Sequence, residues 1–151
     1  MVTMEPTPEG RIVRRRERRS WMAAVPLLII PLLAYVAFAG AGADFGASRF
    51  PIALPSGGTW QLTLGDFLLA VGLCLLFFEI LKATRTGGAS VIDHAFSMMV
   101  FVACLILFLI WDRAATSTFF LLMLMALIDV IAGFAVTINA ARRDYNVGGP
   151  A

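Results

Sequence analysis

Four stretches of this sequence each run for twenty or more residues with almost no charge: Trp21 to about Ala43, Leu62 to about Ala83, Val91 to Trp111, and Ser117 to about Ala141. Lys82, at one edge, is the only lysine or arginine within them. A helix needs about 20 mostly apolar residues to cross a bilayer, and helices satisfy their backbone groups without water. The runs are continuous rather than alternating, which excludes the pattern of a membrane barrel. The expected fold is therefore an all-α integral membrane protein, four transmembrane helices in an antiparallel bundle.

Composition agrees. The chain is 60% hydrophobic and 15% charged, where soluble domains run about 45–50% apolar and about 25% charged. Disorder is excluded by the same balance, and a disulfide scaffold by the presence of only two cysteines.

Orientation follows from the basic residues. Arg11, Arg14, Arg15, Arg16, Arg18 and Arg19 precede the first run, Lys82 and Arg85 close the second, and Arg142 and Arg143 follow the fourth. That places ten on one side against Arg49 and Arg113 on the other. Basic residues near span ends stay cytoplasmic, so both termini are expected inside. Residues 1–20 then form a cytoplasmic Arg-rich tail, 21–141 the membrane domain, and 142–151 a second cytoplasmic tail. Trp21, Trp60, Trp111 and Tyr145 stand at or beyond span ends, where interfacial aromatics belong. The preference for arginine over lysine is that of GC-rich bacterial coding, so the expected location is a bacterial inner membrane. The first run has a rival reading, since its basic flank and Ala37-Phe38-Ala39 resemble a cleavable secretory signal. Its apolar stretch exceeds a usual signal core and favours a retained span.

The connections differ. Asp112–Thr116 and Thr84–Ser90, the latter with Gly87-Gly88, are tight turns that make the second, third and fourth helices a compact meander. The outside loop 44–61 is longer and carries Phe45, Phe50, Ile52, Leu54 and Trp60 among Pro51, Pro55, Gly57 and Gly58. It is expected to lie against the membrane surface.

Few polar groups interrupt the spans. Thr63 with Asp66, and Ser90 with Asp93, have capping-box spacing and mark helix starts. Asp129 is different, because it lies twelve residues into the fourth run. An ionised acid at that depth costs about 2.5–3.5 kcal/mol, so it should face the interior and be paired or protonated. Ala126, Gly133, Thr137 and Ala140 share its face as a small, close-packing stripe. Counted from the cytoplasmic ends, Asp129 is level with Cys104, Gly72 and Pro31. Pro31 should kink the first helix and free a carbonyl for a protonated Asp129.

Glu79 lies near the inside end of the second run, on one face with Gly65 and Gly72. His94, Ser97, Thr137 and Asn139 fall at similar depth. The plain reading is snorkelling, with Glu79 paired to Lys82 one turn on. The functional reading is a proton or ion relay through Glu79 and His94.

Enzyme signals are missing. His94, the single histidine, has too few companions for a metal site. Cys74 and Cys104 form no C-x-x-C unit and read as packing residues. No cofactor or phosphate loop is implied. Arg14, Arg15, Arg16, Arg18, Arg19, Arg142 and Arg143 abut spans and suit anionic headgroups better than nucleic acid. Two functions fit: a non-enzymatic accessory, assembly or interaction subunit of a membrane complex, built on its small-residue faces, or a small oligomeric proton- or cation-coupled transporter or channel using Asp129 and Glu79.

Overall fold

The computed structural model describes residues 4–6, 12–14, 25–85 and 90–147, with side chains described over 25–84, except Arg49, and over 94–139, except Thr137 and nothing beyond them. Strands β1 (Met4–Pro6) and β2 (Ile12–Arg14) pair antiparallel near the N-terminus. They are followed by α1 (Ile29–Gly40), an antiparallel hairpin of β3 (Ser48–Ala53) and β4 (Thr59–Thr63), and then α2 (Leu64–Arg85). Next come α3 (Ser90–Ile110), a single 3-10 turn at Asp112–Ala114, and α4 (Ser117–Val147). Two segments, Leu64–Thr84 in α2 and Ser117–Val136 in α4, are long and apolar enough to cross a membrane.

The apolar run that opens at Trp21 makes a shorter helix than its length predicts. Twelve helical residues in α1 give about 18 Å of rise, against a hydrocarbon core of about 30 Å. A local stop explains the C-terminal end. Gly42 takes a left-handed conformation at φ +80°. Its N–H bonds the Ala39 carbonyl at 3.1 Å, and the Ala43 N–H bonds the Phe38 carbonyl at 2.9 Å. That pair is the Schellman arrangement, which ends a helix however apolar the next residues are. Residues 21–24 lie outside the described set.

Pro31 also departs from expectation. Because α1 begins at Ile29, Pro31 sits in its first turn, where the missing N–H is one the helix could not have used. The Leu27 carbonyl, four residues before it, accepts the Ile30 N–H at 3.1 Å instead.

The loop 44–61 holds a hairpin that the apolar-run reading did not foresee. Ile52 pairs with Trp60 and Phe50 with Leu62, so four apolar side chains share one face. Pro51 opposite Gln61 and Ala53 opposite Thr59 occupy the other. The register is irregular between Ser48 and Phe50, and the turn is closed by Gly57 at φ +82°, with its N–H on the Leu54 carbonyl at 3.0 Å. Phe50, Ile52 and Trp60 are all exposed.

Packing places α4 at the centre. It runs along both α2 and α3, while α1 rests on α2, α4 and the 3-10 turn. Chain order predicted α2, α3 and α4 as successive neighbours, but the small residues decide otherwise. A Cβ on Gly72 would lie 2.9 Å from Leu122 Cδ2 and 3.1 Å from Met125 Sδ, and one on Gly65 would lie 2.6 Å from Thr118 Oγ1. Both glycines therefore admit α4, running parallel to α2. On its other side Gly133 admits His94 of the antiparallel α3. Tyr35, Phe119 and Leu122 are fully buried at the centre of the core. Tyr35 stacks on Phe45 at 4.2 Å between ring centroids and lies tilted against Phe119 at 4.9 Å.

Candidate functional site: a buried polar cluster

Three helices each bring buried polar groups to one place. From α2 comes Glu79, 4% exposed; from α3 come His94 and Ser97; from α4 comes Asp129, 7% exposed. Periodicity accounts for each placement. Glu79 follows Gly65 and Gly72 at intervals of seven, on the face α2 turns towards α4. Ser97 and His94 are three residues apart and so share a face of α3. Asp129 and Gly133 are four apart on α4.

Every acid in the cluster has partners. Glu79 Oε2 lies 2.8 Å from Lys82 Nζ, one turn on, and the ammonium sits near enough to Asp129 to act on its charge as well. Glu79 Oε1 accepts a hydrogen bond from the Leu27 N–H. That contact does local work. Leu28 at the N-cap of α1 has no side-chain cap of its own, and its apolar side chain could not supply one. A carboxylate borrowed from α2 takes up an amide just before α1 and places negative charge at its N-terminal dipole.

Asp129 accepts a hydrogen bond from the Ser97 hydroxyl and lies within electrostatic reach of Glu79, Lys82 and His94. The His94 ring occupies the space that a Cβ on Gly133 would need, and it stands 5.8 Å from the Phe134 ring. Without that glycine the imidazole could not enter between α3 and α4.

Counted from the cytoplasmic ends, Asp129 is expected level with Cys104, Gly72 and Pro31. The structure sets it two turns further along α3, at Ser97, and it sets Gly72 against Leu122 and Met125 instead. The count failed because α4 continues to Val147, well past the end of its apolar run. Counted from the opposite ends the register is right, since Gly65 meets Thr118 where α2 and α4 begin. Asp129 and the Glu79 set are one cluster. Asn139 is exposed and outside it, and the Thr137 side chain lies outside the described residues.

The Thr63–Asp66 capping pair is at the other end, where α2 begins. Thr63 and Asp66 form a reciprocal box: the Asp66 N–H donates to Thr63 Oγ1 at 3.0 Å, the Thr63 N–H to Asp66 Oδ2 at 3.0 Å, and the Thr63 hydroxyl to the same oxygen at 2.7 Å. Ser90 opens α3, but its side chain and that of Asp93 lie outside the described set. The same holds for the side chains of Arg14, Arg15, Arg16, Arg18, Arg19, Arg142 and Arg143. Cys74 is exposed and Cys104 buried, both as free thiols. Among the described residues no group of three or more histidines, cysteines or acids could hold a metal ion.

Sequence reasoning missed a second polar junction at the hairpin end. The Tyr35 hydroxyl donates to the Arg113 carbonyl at 2.9 Å and lies 2.5 Å from Thr116 Oγ1. Thr116 Oγ1 also caps α4 by accepting from the Phe119 N–H at 3.2 Å. Arg113 Nη1 donates to the Ala39 and Gly40 carbonyls at 2.8 and 2.7 Å, capping the C-terminus of α1. The available signal was Tyr35 itself, since a tyrosine within an apolar run needs a partner for its hydroxyl. Compared with known proteins, the chain matches no family model, no curated protein and no solved structure.

Proposed function

We propose that the chain is a multi-pass bacterial inner-membrane protein with both termini cytoplasmic, acting as a small oligomeric proton- or cation-coupled transporter or channel. The observation that carries this reading is the meeting of Glu79, His94, Ser97 and Asp129 from three helices in one buried cluster. Ionisable groups are expensive inside a membrane and mark ion or proton pathways by default. Glu79 and Asp129 offer two carboxylates to a single lysine and a histidine, so a proton or small cation can be accepted and released while the cluster stays nearly neutral. Four helices enclose little volume, which is why an assembly of several copies is part of the proposal. No catalytic chemistry is assigned to any residue.

The test is flux in proteoliposomes under an imposed proton or cation gradient. Wild-type protein should dissipate the gradient, and the Glu79→Gln, Asp129→Asn double variant should not. Unchanged flux in the double variant would remove the cluster from any transport role.

The accessory-subunit reading stands second. Its original support, the small-residue faces, is taken up inside the chain, where Gly65, Gly72 and Gly133 each receive a neighbour. What favours it is the uncovered apolar face of the β3–β4 hairpin. Mass measurement in native detergent together with co-purification separates the two, since one reading expects a homo-oligomer and the other a hetero-complex.

A further inference from the structure

The ends of α1, α2 and α4 that meet beside the hairpin surround a cavity of about 520 Å³. It is lined by Arg113 and Asp44, by Thr63, Thr116 and Thr118, and by Phe45. The volume lies in the range of about 300–1,000 Å³ typical of small-molecule sites. The position is well away from the Glu79–Asp129 cluster, so the site stands apart from the function proposed above.

The two charged residues are each fixed by backbone rather than by each other. Arg113 uses Nη1 on the Ala39 and Gly40 carbonyls, which leaves the donors on Nη2 and Nε. Asp44 uses Oδ1 to accept the Gly46 N–H at 2.9 Å, which leaves Oδ2. No ion pair joins Asp44 to Arg113, although both line the same space. Opposite charges held on one wall and kept from pairing discriminate among ligands. A simple anion is drawn to Arg113 and repelled by Asp44, and a simple cation meets the reverse. A neutral molecule satisfies neither. A ligand carrying both charges satisfies both.

We propose that this cavity binds a small zwitterion, its anionic oxygens on Arg113 and its ammonium group on Asp44. The threonines and Phe45 on the wall surround the part between. Two sources share this chemistry. One is a free solute such as an amino acid or phosphoethanolamine. The other is the headgroup of phosphatidylethanolamine, because the cavity lies where the apolar segments of α2 and α4 begin.

The test uses the full chain purified in detergent. Soluble phosphoethanolamine is titrated by calorimetry, and its N-acetylated form, which has no cation, serves as the comparison. Retention of phosphatidylethanolamine against phosphatidylglycerol is read by native mass spectrometry. Losing a charged hydrogen bond weakens binding by roughly tenfold or more. The zwitterion should therefore bind at least roughly tenfold tighter than its acetylated form. Asp44→Asn should abolish that difference while keeping the Gly46 bond through its amide oxygen, and it should melt like wild type. Binding of the soluble compound assigns a free solute, and binding of the lipid alone assigns a headgroup. If neither the soluble compound nor the lipid binds, if a soluble compound that binds is held as tightly after acetylation, or if Asp44→Asn binds as tightly as wild type, the proposal is overturned.

Discussion

At the scale of the single residue, the glycines decide how closely the helices approach. Gly133 lies under the His94 ring, so an added methyl has nowhere to go. Gly133→Ala should therefore cost roughly 1–3 kcal/mol, the range for overpacking a well-filled interior. Gly40 is the opposite case: a Cβ there meets nothing within 4 Å. Gly40→Ala should stabilise the protein by about 0.4–1 kcal/mol, through the lost freedom of the unfolded chain. Unfolding in detergent, followed by heat or denaturant, measures both. Equal effects of the two substitutions would show that helix propensity, rather than the His94 contact, governs Gly133.

The same scale shows what the sequence could and could not disclose. Glu79 and Asp129 stood out because a lone acid in an apolar run is conspicuous, and Lys82 one turn from Glu79 was an obvious partner. Ser97 as the partner of Asp129 was not legible. A serine is cheap in a membrane helix, and only the register between α3 and α4 says what it faces. The Leu27 N–H on Glu79 was beyond reach altogether, since every residue carries an amide and nothing in a side chain marks the one that will be used.

At the scale of elements, local signals located helix ends better than apolar length did. The Thr63–Asp66 box fixes the start of α2, and Thr116 fixes that of α4. Thr63→Ala should cost about 1 kcal/mol and speed amide exchange in the first turn of α2, where hydrogen-exchange mass spectrometry reads it. Exchange unchanged in that turn would show that packing alone holds the helix start. Apolar length misled at α1, because alanine and glycine count as apolar while Gly42 ends the helix through its backbone conformation. It misled again at the hairpin. Phe50, Ile52 and Trp60 were legible as apolar, and their alternation with Pro51, Ala53 and Gln61 is the period of a strand. Those residues lie between two long apolar runs, and a search tuned to twenty-residue helices passes over a five-residue strand.

At the scale of the whole molecule, the chain was legible as four helices but not as an arrangement of them. Short connections predicted α3 between its sequence neighbours; the structure puts α4 at the centre, with α2 and α3 on either side. The reason is that α4 is lined for close contact on two faces, against Gly65 and Gly72 on one side and through its own Gly133 on the other. The same arrangement gathers the acids. A slip of α4 by two turns would return Asp129 to the level of Cys104 and leave it among apolar groups. Any role for the cluster, as a relay or as a lock between helices, therefore rests on the α3–α4 register.

That register is tested most directly by cysteine cross-linking with the shortest bifunctional thiol reagent, in the full chain in membranes. With Cys74 and Cys104 replaced by serine, the Ser97→Cys, Asp129→Cys pair should link rapidly, because Ser97 and Asp129 are hydrogen-bonded in the native protein. Asp129→Cys alone, with the native Cys104 kept, should stay unlinked, since residues 97 and 104 lie about 10 Å apart along α3. Linkage to Cys104 with none at position 97 would contradict the register, and with it the cluster on which the functional account stands.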